Sequence, residues 1–141
     1  MSTALEALDR CALFASLSPK ERKKVADDLR ERRYAAGDAM TSEDQGGVGF
    51  FVIGEGNADV SIGEAENAKT LGPGDAFGEM ALITGMHRSA RITAKTDVQC
   101  WVLSQWHFKP LVLEYPQLAW SLLEVLAHRV RETQLRGVDA S

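Results

Sequence analysis

The chain has 141 residues, a formal net charge of -4, 45% apolar and 26% charged side chains, a one-domain length and a globular composition that exclude a disordered chain. The acidic balance also excludes a surface built to grip nucleic acid, because phosphate contacts need a basic face. Apolar runs fall well short of the ~20 residues of a membrane span, and Met1 to Asp9 lacks the apolar segment of a secretory signal, so a cytoplasmic protein without membrane or direct nucleic-acid contact is expected.

Thr3 and Glu6 have capping-box spacing around Leu5 and Leu8, which predicts a short first helix. Cys11 follows it, far from Cys100, and without paired spacing the two read as small buried hydrophobes rather than a zinc site or a disulfide. A stronger helix start comes next: Ser18 as cap, Pro19 in the first turn, Glu21 as the reciprocal acid, then Val25 and Leu29 at i, i+4. This helix is expected to run to about Arg32, so that N-terminal helices occupy about residues 3–32. Its Lys and Arg residues are interleaved with Glu21, Asp27, Asp28 and Glu31, the pattern of a solvated helix face.

From Tyr34 to Leu103 the texture changes. Eleven of the twelve glycines fall between Gly37 and Gly85 and punctuate short runs such as Phe50-Phe51-Val52-Ile53 and the alternating Ala58, Val60, Ile62. Between Arg91 and Leu103, Ile92, Ala94, Val98, Cys100 and Val102 share one parity around a turn at Thr96-Asp97. Short strands with glycine turns predict an antiparallel β-roll or jelly roll over about 34–103.

The helix period returns after Leu103. Ser104 is placed to cap a helix carrying Phe108, Leu111 and Val112, which Tyr115-Pro116 ends. The last helix, from about Gln117 to Arg136, sets Leu123, Leu126, Val130 and Thr133 at steps of three, four and three, the spacing of a coiled-coil seam, and Gly137 to Ser141 are expected to fray. The fold class is therefore α+β, mainly β: a roll flanked by N-terminal helices and by C-terminal helices over about 104–136.

One stretch carries chemistry, FGEMALITGMHRSARITA from Phe77 to Ala94. A helical turn starting near Met80 leaves its first backbone N–H groups unpaired at the positive end of its dipole, which suits an anion. Arg88 brings a planar fork suited to phosphate. Glu79 is repelled by phosphate, so its carboxylate is better used on a neighbouring hydroxyl such as a ribose offers. Gly78 lets the backbone approach closely, and Ser89 adds a hydroxyl and an N–H. A sugar hydroxyl beside a phosphate in the mouth of a compact roll describes a nucleotide.

These residues resemble the phosphate-binding cassette of cyclic nucleotide-binding domains, and the chain from about Leu13 to Leu135 is similar to the sensor half of the bacterial catabolite activator (Crp/Fnr-like) family. The resemblance rests on LFASLSPKE, the AAGD turn, the LGPGDAFGE lead-in, Arg88 nine residues after Glu79, and HRVRETQ on the last helix. It implies a single cyclic nucleotide-binding domain over 1–141 with cAMP or cGMP as ligand and no further cofactor. Arg88 is implied to bind the cyclic phosphate, Glu79 and the Gly78 backbone the ribose 2′-hydroxyl, and the Met80–Ala81 turn and Ser89 the phosphate through N–H groups. Thr133 matches the helix position that meets the adenine, and the same helix implies a homodimer. The activators' helix-turn-helix is not present after this helix, so direct reading of DNA is not expected, and an unidentified protein partner is left to receive the signal.

Blander readings stand beside these. Glu79 with Arg88 also fits a surface ion pair worth under about 1 kcal/mol, Thr133 also fits a hydroxyl bonded to its own helix, and Arg91, where many cassettes carry Thr or Ser, reads as a solvent-facing strand residue. Trp101, Trp106 and Trp120 read as core or interface anchors. His87, His107 and His128 lack metal-ligand spacing, and no nucleophile with a base and an orienting acid can be assembled, so neither a metal nor an enzyme is expected. The alternative to a nucleotide sensor is a dimerisation or docking module on the same roll that binds no ligand.

Overall fold

The computed structural model describes residues 2–41, 49–62, 65–78 and 90–140. Helix α1 (Ala4–Arg10) and a 3-10 turn (Ala12–Phe14) lead to α2 (Pro19–Ala26). Eight strands follow: β1 (Arg30–Tyr34), β2 (Ala39–Thr41), β3 (Gly49–Glu55), β4 (Ala58–Ile62), β5 (Ala65–Leu71), β6 (Ala76–Phe77), β7 (Ala90–Ala94) and β8 (Val98–Ser104). Helices α3 (Gln105–Glu114) and α4 (Pro116–Ala140) close the chain. The strands make two antiparallel four-stranded sheets, ordered β1-β8-β3-β6 and β2-β7-β4-β5, which is the expected roll.

Both capping boxes form. Thr3 and Ser18 accept from the N–H groups of Glu6 and Glu21, whose carboxylates return to the cap N–H groups; each such cap stabilises its helix by about 1 kcal/mol. The α2 helix stops at Ala26 rather than near Arg32. Asp28 and Leu29 donate to the carbonyls of Val25 and Ala26, three residues back, tightening the last turn. Arg30–Tyr34 then pairs with β8, from Arg30 opposite Val102 to Tyr34 opposite Val98. Arg30, Glu31, Arg32 and Arg33 are all exposed, so this edge strand has no apolar alternation to announce it, and its charges guard the edge against foreign strands.

β3 explains the apolar run at its centre. Phe50 and Val52 face a core shared with Leu8, Phe14, Val25, Phe108, Leu111 and Leu118, while Phe51 and Ile53 face a second core between the sheets. In that second core lie Ile92, Ala94, Val98, Cys100 and Val102, the five residues of shared parity. Residues of the other parity on β8 turn outward to the helices: Leu103 is buried there, and buried Gln99 bonds the backbone N–H and carbonyl of Ser2, holding the start of the chain on the sheet.

At the C-terminal side, Ser104 precedes α3 without capping it; its hydroxyl meets His107 Nδ1 at 2.8 Å instead. The last helix extends through Ala140, past the expected end near Arg136 and through the tail expected to fray. Trp101 packs against the helix-side core, but Trp106 and Trp120 are exposed, at 78% and 67%. Among the described residues no helix is long and apolar enough to cross a membrane, and no group of three or more His, Cys, Asp or Glu side chains is placed to hold a metal.

Both cysteines are free and buried, and burial pushes the thiol of Cys11 up to about 11 and that of Cys100 up to about 12. The protonated thiols stabilise the fold fully below the unfolded thiol's pKa of about 8.5, and that contribution is lost as pH rises through the folded values. With iodoacetamide at pH 8, the native protein is expected to keep both thiols while the urea-unfolded chain is alkylated at both. Equal rates in the two states would contradict the burial.

Candidate functional site

The motif sits where the chain passes from one sheet to the other. Its leading end is β6, bonded to β3 with Phe51 opposite Phe77 and Val52 opposite Ala76. Its far end is β7, which lies between β2 and β4, with Ala90 opposite Ile62, Arg91 opposite Ser61 and Ile92 opposite Val60. Residues 79–89 therefore connect an edge strand of one sheet to an interior strand of the other.

The LGPGD lead-in builds the approach to β6. Asp75 closes a turn by accepting from the Gly72 N–H at 2.8 Å and donating its own N–H to the Gly72 carbonyl at 2.9 Å. Gly74 donates to the Ile53 carbonyl, and Ile53 donates back to Asp75, so the turn is tied to β3. At Gly74, with φ +89°, a Cβ would come within 2.7 Å of the Arg10 carbonyl oxygen, so glycine is required for both its backbone and its lack of a side chain. Gly78, the first residue after β6, has φ 101°. The chain leaves the strand through a backbone conformation that disfavours any side chain.

Of the residues assigned to the ligand, Gly78 is therefore at the rim of the roll. Glu79, Met80, Ala81, Arg88 and Ser89 lie outside the described residues, as does His87. Thr133 belongs to α4, the long C-terminal helix, and its side chain is likewise not described. Arg91 is exposed, on the parity opposite buried Ile92; it points to solvent and away from the core between the sheets.

Sequence reasoning missed the support behind Gly78. Phe51 and Phe77 stack face to face across β3 and β6, with ring centroids 4.8 Å apart and an angle of 6° between planes, and they are 2% and 5% exposed. Their alternation within a uniformly apolar run gave no sign of which ring faced which core. On the other side of β6, a cavity of about 200 Å³ is bounded by Leu13, Ala76, Leu122 and Val125 among others. The long helix thus runs beside the strand that leads into the motif, with free space between them.

The description "Cyclic nucleotide-binding domain" belongs to the family that matches residues 31–115. A cAMP-dependent protein kinase regulatory subunit of Aspergillus niger is 39% identical over 106 residues, which cover 74% of this chain and 26% of the relative. The chain thus spans about a quarter of the length of the curated relatives it matches. Among solved structures, the catabolite activator protein of Thermus thermophilus superposes with a TM-score of 0.82 at 27% identity, covering 89% of this chain and 61% of that one. The cAMP-bound PfPKA-R structure superposes at 0.72 with 30% identity, covering 86% and 45% respectively. The fold, the glycine-led crossing between sheets and a match over more than half the sequence converge: the chain belongs to the cyclic nucleotide-binding domain family.

Proposed function

We propose that residues 1–141 act as one cyclic nucleotide sensor, with cAMP as the favoured ligand and cGMP as its competitor. The observation that carries this reading is the FGE…RSA motif spanning from the positive-φ Gly78 to the start of β7. A small anion can meet backbone N–H groups and a guanidinium there at the rim of a rigid roll. In this account Arg88 binds the cyclic phosphate, with N–H groups of the Met80–Ala81 turn and of Ser89 beside it. Glu79 and the Gly78 backbone take the ribose 2′-hydroxyl, and Thr133 meets the base. That a relative named for cAMP shares 39% of aligned residues supports adenine over guanine.

Output runs through α4. Leu122 and Val125 of this helix border the cavity beside β6, so a change at the motif has an adjacent helix with room to shift. The size of that shift is limited by the ligand's preference for one helix arrangement over the other. On the far side of α4, Trp120, Leu123 and Val130 are exposed at 67%, 58% and 56%. Their spacing of three and then seven is a helix seam, and we assign it to a homodimer. Trp106 and Leu113 on α3 are exposed as well, and they offer the surface that the second reading needs, a module that docks protein partners without binding nucleotide.

Two measurements test these readings. Titration calorimetry of Arg88→Ala against cAMP is expected to show binding weaker by about 2–5 kcal/mol, because a charge-assisted contact to a partly desolvated phosphate is lost. Unchanged affinity would remove Arg88 from the site. In the same series Thr133→Ala should alter the cAMP-to-cGMP ratio at little cost in affinity, and an identical ratio would remove Thr133. For the seam, sedimentation at micromolar concentration should find a dimer for the wild type and a monomer for Leu123→Glu. A wild-type monomer with cAMP present would rule the seam out.

A further inference from the structure

The two ends of the 79–89 segment are anchored very differently. At the far end, β7 has a strand on each side and buries Ile92 and Ala94 between the sheets. At the leading end, β6 is two residues long, lies at the edge of its sheet, and has two paired positions with β3. Backbone bonds between Ile53 and the Gly74–Asp75 turn hold the approach to this strand, and so short a ladder adds little beyond them at Phe77. What fixes Phe77 is its ring, buried flat against that of Phe51 at 4.8 Å.

We propose that Phe51 is a positioning residue for ligand binding: by holding the Phe77 ring, it sets the direction in which the chain leaves the sheet at Gly78. This rests on the nucleotide reading above. Phe77 and Gly78 are adjacent, and the φ of 101° at Gly78 turns the chain, so a rotation of Phe77 within its pocket changes the direction of the backbone at Gly78. Stacked rings resist such rotation because the face-to-face contact is lost as soon as one plane tilts. Positioning at this level matters because hydrogen bonds, charge-assisted ones included, weaken steeply as distance and angle depart from ideal. Phe51 therefore governs affinity from inside the core between the sheets.

The molecule supplies its own control. Phe50, the preceding residue on β3, is buried at 1% and faces the opposite core, where its ring meets Phe14 at 6.0 Å and Phe108 at 5.6 Å. Phe50→Leu and Phe51→Leu make the same chemical change at neighbouring buried positions of one strand, and only the second removes a face from Phe77. A merely structural role for Phe51 predicts that both variants lose stability and neither loses affinity once folded.

The experiment is titration calorimetry of the full chain with cAMP at a temperature where circular dichroism shows wild type and both variants folded. Phe51→Leu is expected to bind at least about tenfold more weakly than wild type, the equivalent of 1.4 kcal/mol, while Phe50→Leu stays within about twofold. If Phe51→Leu loses the folded state, Phe51→Met, which keeps more of the volume but removes the ring face, reads the same contrast. Equal affinities for the Phe50 and Phe51 variants overturn the positioning role and leave the nucleotide reading standing. Absence of binding by the wild type to either cAMP or cGMP overturns the nucleotide reading and the positioning role together.

Discussion

The pairing of β3 with β8 is the interaction on which the rest depends. These two strands form the wall between the two cores, and nine of their fourteen residues contribute to one or the other. Gly49 begins that pairing where a Cβ would fall 2.7 Å from Val102 Cγ1 and 3.0 Å from the Leu103 carbonyl oxygen, so the strands meet too closely at this point to admit a side chain. Helices α1, α2 and α3 have a surface to pack on because Phe50, Val52 and Leu103 face outward. The second sheet has one because Phe51, Ile53, Cys100 and Val102 face inward.

From that wall the candidate site follows as an edge effect. β6 extends the β3 sheet by one short strand, and the chain then departs through Gly78 and reappears in the other sheet at β7. The motif is thus flanked by strands of two different sheets, so the rigid scaffold fixes both of its ends. The long helix lies across the opposite side of β6 with a cavity between them. One short strand thus has the proposed site at its end and the proposed output helix at its back.

What the sequence revealed depended on whether the governing forces were local. The capping boxes at Thr3 and Ser18 and the turn at Thr96-Asp97 are set within a few residues, and the structure has them where the spacing puts them. The inward parity of Ile92 to Val102 is also legible, because burial on one face imposes a period of two. Arg30–Arg32, expected as the end of the second helix, are strand because their partner is β8, some seventy positions away, and no residue type among these three favours a strand. Ser104 has the composition of a cap, yet its hydroxyl is drawn to His107. Of the candidate site, the need for glycine at position 78 was legible through glycine chemistry, whereas the Phe51–Phe77 stack was not, since a run of four apolar residues hides which ring meets which.

Titration calorimetry of the wild-type chain, stripped of nucleotide and shown to be folded, with cAMP and cGMP in parallel, tests the central claim most directly. The account predicts saturable binding at one site per chain, tighter for cAMP than for cGMP. Failure of both nucleotides to bind would contradict it and leave the roll as a dimerisation or docking module.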